Sequence, residues 1–248
     1  YILTNPDFEP PNFRARDFDR SFDNSFQNLF GIDGSTDSRK AFELYKKAAE
    51  NGDPAALFNL GLMYSRGEGV KRDKRIAAEY YQQSAEKGND KAQFNLGLMY
   101  SKGEGVHQNK QRAAELYSEA AEQGNKKAQS NLGLMYARGD GVPQNYERAV
   151  ELYTKAADQN DADAQLNLGL MYDHGEGVEV DKEKALELYT KAAEQGNAKA
   201  QFNLGVMYHK KDNEKAVQYY SMAAEKGIPQ AQYNLGVIYS KGEEDVPV

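Results

Sequence analysis

The tripeptide Asn-Leu-Gly occurs six times in this chain, beginning at Asn59, Asn95, Asn131, Asn167, Asn203 and Asn234, with steps of 36, 36, 36, 36 and 31 residues. A period in the thirties marks a unit too small to bury its own apolar face, which must stack on copies of itself. That makes a solenoid of most of the chain. Residues 35–242 read as one array, preceded by an arm at residues 1–34 and followed by a polar tail at residues 243–248.

The unit from Asn89 to Gly124 holds two stretches of helical periodicity separated by a glycine-rich turn, which predicts a helical hairpin. The first helix opens at Asp53, Asn89, Asn125, Asp161 or Asn197, side chains that accept hydrogen bonds from a first turn. Ile228 holds that place in the last unit and is a poor cap. Paired glycines follow, such as Gly103 and Gly105, where positive φ is expected. A second cap (Asp37, Asp73, Asn109, Asn145, Asp181 or Asp212) opens the second helix, which is expected to end on a left-handed residue at Gly52, Gly88, Gly124, Asn160, Gly196 or Gly227. Within that helix tyrosine recurs at Tyr45, Tyr81, Tyr117, Tyr153, Tyr189 and Tyr220. Alanine recurs four residues later, from Ala49 to Ala224. A large ring beside a small residue is expected to be core, with Glu and Lys on the solvated face.

Together these residues, AQxNLGxMYxxGxGVxxDxxKAxxYYxKAAExG, resemble the Sel-1-like repeat family, relatives of the tetratricopeptide repeats, across about residues 35–242. The GxGV turn and the AAExG ending set the pattern apart from the tetratricopeptide unit. The resemblance implies an all-α fold, an α/α solenoid wound as a right-handed superhelix, with first helices lining the concave side. It implies a role as an adaptor or scaffold binding other proteins, and no catalysis in general. Some cysteine-rich bacterial members are linked to β-lactam binding, so a hydrolase or small-molecule-binding role is the alternative. This chain has no cysteine.

On a helical wheel, Ala56, Leu60, Tyr64 and Gly67 fall on the packing arc, while Ala55, Phe58, Asn59, Leu62, Ser65 and Arg66 fall on the arc expected to line the groove. Down the repeats, this second arc carries Asn59, Asn95, Asn131, Asn167, Asn203 and Asn234. Beside them run a basic row, Arg66, Lys102, Arg138, His174, Lys210 and Lys241, and an apolar row, Phe58, Phe94, Leu166, Phe202 and Tyr233, broken at Ser130. An amide both donates and accepts, so it can match one peptide unit without reading sequence. Bonding of the asparagines within the repeat fits the same pattern, and basic residues in a last turn also suit the helix dipole. The functional reading is a groove for an extended acidic or carboxylate-bearing peptide. Six asparagines making two bonds of about 1 kcal/mol each barely exceed the ~4–15 kcal/mol cost of association, so the apolar row must contribute.

Residues 1–34 hold six of the ten phenylalanines and no lysine, with Phe18, Phe22, Phe26 and Phe30 spaced by four among aspartates. The arm reads equally as a degenerate first helix over residues 22–33 that caps the array, as a docking segment or fused peptide for the groove in cis or in trans, or as a disordered stretch. At the other end, the helix around residues 230–241 has no second helix after it, so a homodimer through this helix is expected.

The formal charge of −7 argues against nucleic acid as the partner. No apolar run approaches the ~20 residues of a membrane span, and the absence of cysteine leaves the redox compartment unassigned. The chain opens at Tyr1 rather than methionine, which reads as a processed or trimmed product. Neither a compartment nor a cofactor is assigned. His174 and His209 lack the carboxylate or cysteine that a metal site needs, and the GxG pairs follow helices rather than strands, unlike a phosphate loop. No catalytic residue and no metal ligand is expected.

Overall fold

The computed structural model describes the backbone of residues 34–209 and 211–242, and side chains of residues 37–209 and 211–240. The arm with Phe18, Phe22, Phe26 and Phe30, the side chain of Lys241, residue Lys210 and the tail lie outside these. The described residues form twelve helices and no strand. First helices are α2 (Pro54–Arg66), α4 (Asp90–Lys102), α6 (Lys126–Arg138), α8 (Ala162–His174), α10 (Ala198–Tyr208) and α12 (Pro229–Gly242). They alternate with second helices α1 (Gly34–Glu50), α3 (Lys74–Glu86), α5 (Lys110–Glu122), α7 (Tyr146–Asp158), α9 (Lys182–Glu194) and α11 (Asn213–Glu225). Each packs chiefly on its neighbours in sequence, as an α/α solenoid requires.

The caps form where the sequence places them, except at Asp37, which lies inside the first turn of α1 because that helix already begins at Gly34. Asp53 Oδ1 accepts from Ala55 N at 2.7 Å and Ala56 N at 2.9 Å, and Asn89 Oδ1 accepts from Ala92 N at 2.9 Å. The six second-helix ends are left-handed, Asn160 among them at φ 60°. Each hairpin is closed by a bond from the second cap to a tyrosine carbonyl in the first helix, Asn109 N to Tyr100 O at 2.9 Å for example.

Within a pair, the Asn-Leu-Gly leucine is core: Leu60, Leu96, Leu132, Leu168 and Leu204 are all buried. The glycine makes room for the second-helix tyrosine. A Cβ on Gly61, Gly97, Gly133, Gly169 or Gly205 would stand 2.5–3.0 Å from the ring of Tyr81, Tyr117, Tyr153, Tyr189 or Tyr220. The most enclosed small residues differ from the expected row. They lie four before the tyrosine (Ala77, Ala113, Ala149, Ala185, Ala216) and three after it (Ser84, Ala120, Ala156, Ala192, Ala223), all 0% exposed. In the expected row, Ala157 and Ala224 are only half-buried. Offsets of −4 and +3 fall within about 20° of each other on one side of the tyrosine, whereas +4 falls on the other side.

The second glycine of each turn is an inter-repeat contact. Gly105 has φ +74°, and a Cβ there would lie 2.4 Å from Lys74 O, in the first turn of the preceding second helix. Gly69, Gly141 and Gly177 meet Ser38, Lys110 and Tyr146 in the same way. Ion pairs brace two of these contacts, Lys74–Glu104 and Lys110–Asp140, both at 2.7 Å.

Burial raises the pKa of six phenols, Tyr81 to about 12 and Tyr80, Tyr117, Tyr153, Tyr189 and Tyr220 likewise upward. Above pH 10 the unfolded chain releases these protons while the folded chain keeps them, so stability falls as pH rises. Each phenol removes up to about 1.4 kcal/mol per pH unit between 10 and its raised value. Helix content should therefore collapse steeply between pH 10 and 12, with tyrosinate absorbance at 295 nm from the buried set rising together with the loss of helix. Ionisation of every tyrosine before unfolding would contradict this.

Candidate functional site

The asparagines sit where two repeats meet. Asn95, on α4, stands near enough to the Tyr81 hydroxyl of α3 to favour its phenolate, as does Ser65 of α2. Asn131 and Ser101 stand at Tyr117 in the same way, and Asn234 at Tyr220, whereas the buried Tyr189 hydroxyl has no hydrogen-bond partner. These polar neighbours lower the phenol pKa against the larger effect of burial. The asparagines, Asn59 and Asn167 included, are half-buried.

The expected apolar row divides. Phe58, Phe94 and Phe202 are half-buried, each tilted against the tyrosine of its own pair with ring centroids 5.8 Å apart, on Tyr81, Tyr117 and Tyr220. Leu166 is buried, in one core cluster with Tyr189 and Leu204, and Ser130 is buried as well. Any apolar contact with a ligand therefore narrows to the edges of the three phenylalanines and to Tyr233, which is 73% exposed.

Of the basic row, Arg66 and Arg138 stand close enough to Tyr81 and Tyr153 to favour the phenolates. Arg66 also pairs with Glu68 at 3.6 Å. Lys102 is exposed at the end of α4. His174 is exposed but faces Asp173 at 3.9 Å, which also binds Lys182 at 2.6 Å, so the row loses its positive character there. At the opposite ends of the first helices runs an ionic chain. Lys127 Nζ lies 2.8 Å from Asp161 Oδ2 and 3.8 Å from Asp163 Oδ2, and Asn197 donates to Asp163 at 3.2 Å. Burial raises the Asp163 pKa, against the pull of Lys127 and Lys199. Lys199 is lowered, first by burial and then by Arg138. Arg138 closes α6 and Lys199 opens α10, two first helices on.

Sequence reasoning missed a glutamine ladder. Gln93, Gln129, Gln165 and Gln201 are at most 5% exposed, and each donates to a carbonyl at the end of the preceding second helix, Gln129 to Ala121 O at 3.1 Å. Gln123, Gln159 and Gln195 then donate back to Gln93, Gln129 and Gln165 at 2.7–2.8 Å. Lys226 stands where the next glutamine would be, leaving Gln201 Oε1 buried without a partner. The available signal was a glutamine recurring directly after a core alanine.

The described residues contain no His, Cys, Asp and Glu grouping fit to hold a metal ion, and no helix long and apolar enough to cross a membrane. What the geometry offers is a row of half-buried amides with Arg66, Lys102 and Arg138 on the same first helices, in an all-helical stack. The Sel1 repeat pattern matches residues 28–53, 54–89, 90–125, 126–161, 162–197, 198–228 and 229–248. The chain belongs to the Sel1 repeat family. It is similar to the crystal structure of a Sel1 repeat protein from Oxalobacter formigenes, at 33% identity over 87% of this chain and 92% of that one, with a TM-score of 0.74. It is also similar to c5321, a protective antigen present in uropathogenic Escherichia coli strains that displays an SLR fold, at 33% identity and a TM-score of 0.66, covering 89% of this chain and 56% of that one. No curated protein sequence matches. Sel1 repeat proteins generally mediate protein–protein interactions, and the family is a helical-repeat scaffold that is typically non-enzymatic.

Proposed function

We propose that this Sel1 repeat array is an adaptor that binds an extended, acidic or carboxylate-bearing peptide along the face of its first helices. The reading is carried by the asparagine–tyrosine pairs. A half-buried amide packed beside a phenol is restricted in its motion and still carries a donor and an acceptor, which matches one peptide unit at low ordering cost. Arg66, Lys102 and Arg138 supply positive charge along the same helices, so carboxylates are favoured and basic segments repelled. The edges of Phe58, Phe94 and Phe202 add apolar contact. An affinity near micromolar, about 8 kcal/mol, is expected.

Asn95 and Asn131 also stand beside buried phenols, so the test needs a control that removes the phenol oxygen and keeps the amide. Asn95→Ala with Asn131→Ala should weaken binding of an acidic peptide about 30-fold, and Tyr81→Phe with Tyr117→Phe by less than about threefold, while both pairs lower the melting temperature. Fluorescence anisotropy reads the affinity and circular dichroism the fold. Equal affinity in the asparagine variant and the parent would sink the proposal.

A further inference from the structure

Among the described residues, two helices lack the partner that their kind has everywhere else in the array. α1 is a second helix with no described first helix before it, and α12 is a first helix with no described second helix after it. Leu44 on α1 is 67% exposed, whereas Leu116, Leu152 and Leu188 at the same place in α5, α7 and α9 are at most 8% exposed. On α12, a Cβ at Gly236 would meet nothing within 4 Å, whereas each of the other five Asn-Leu-Gly glycines meets a tyrosine ring. Tyr233 and Tyr239, on the same helix, are 73% and 60% exposed.

These bare faces are the two halves of one repeat. The five complete pairs show what covers a first helix in this chain: a helix with the spacing of Ala77, Tyr80, Tyr81 and Ser84, whose tyrosine seats on the glycine. α1 carries that set as Ala41, Leu44, Tyr45 and Ala48. We propose that α12 of one copy takes α1 of a second copy, completing a helix pair in trans with Tyr45 seated on Gly236. The contact joins different surfaces on the two copies, so it does not close on itself, and open head-to-tail chains follow. The inference rests on the ends of the array and is independent of the groove.

Gly236 and Leu44 are exposed in the single chain, so Gly236→Arg and Leu44→Glu should leave its fold intact by circular dichroism. In sedimentation velocity over a concentration series, the parent is expected to pass through dimer to larger species. Each variant alone should stay monomeric, with self-association weakened at least about 30-fold. Mixed together, the two variants should form one-to-one dimers and nothing larger, because one intact α12 meets one intact α1. A monomeric parent at millimolar concentration would overturn the proposal, as would a Leu44→Glu chain that still dimerises, since that points to α12 pairing with α12. The repeat match begins at residue 28. A Leu44→Glu chain that loses melting temperature while self-association is unchanged would place the cover of α1 within its own chain, and would also overturn it.

Discussion

Gly105→Ala should destabilise the array by about 3 kcal/mol or more, a large loss for a single added methyl group. Two costs combine. Alanine at φ +74° sits in the left-handed region, at a cost of about 1–2 kcal/mol. Its Cβ would also stand 2.4 Å from Lys74 O and 2.6 Å from Lys74 C. Backbone atoms at a helix start cannot swing away as a side chain can, so the turn must lift off α3, and the 2.7 Å Lys74–Glu104 pair is strained with it. Gly88 supplies the control. Its φ is +82°, but a Cβ there meets nothing within 4 Å, so Gly88→Ala should cost only the conformational part, about 1 kcal/mol. Because a solenoid is held by nearest-neighbour interfaces, the Gly105 variant should also broaden the melting transition or split it, which the Gly88 variant should not. Urea denaturation of the two proteins makes the comparison. Equal losses would mean that the turn does not rest on the preceding helix.

The second large effect is a change of sign. Inside an exposed helix, glycine to alanine gains about 1 kcal/mol. At Gly97 the new methyl would lie 2.7 Å from the Tyr117 ring, which is 2% exposed and closed in on every side. Overpacking should turn the gain into a net loss of about 2–3 kcal/mol. Tyr117→Ala removes the ring and should cost about 4 kcal/mol on its own. In that background Gly97→Ala should no longer destabilise, and should recover up to about 1 kcal/mol. Gly236→Ala on α12, with nothing within 4 Å, should be neutral or stabilising in dilute solution. Additive losses at Gly97 and Tyr117 would show that the glycine is not there for the ring.

Within one repeat, the sequence was close to sufficient. The caps at Asp53 and Asn89, the left-handed ends and the core leucines follow from neighbours on the same helix or turn, where spacing alone decides which groups meet. Contacts between repeats were less legible for a physical reason. Every position recurs at the same period, so periodicity cannot show that Gly105 touches Lys74, that Gln129 reaches Ala121 O, or that Asn95 faces Tyr81. All three pairs bridge different helices, and their partners are polar groups or backbone that a helical wheel assigns to solvent. The wheel placed Leu166 on an open arc for the same reason: it counts one helix and omits the one that covers it. The asparagines proved to be half-buried, with Asn95, Asn131 and Asn234 beside phenols of the preceding second helices.

The row of half-buried asparagines, beside Arg66, Lys102 and Arg138, is where the adaptor reading is most exposed to test. A random peptide library displayed on phage and selected on the full chain, with recovered peptides re-measured on the Asn95→Ala, Asn131→Ala variant, addresses it directly. The account predicts enrichment of acidic sequences with aromatic or aliphatic side chains, and affinity that falls by about 30-fold on the variant. Enrichment of basic peptides, or peptides that bind the variant as tightly as the parent, would contradict it.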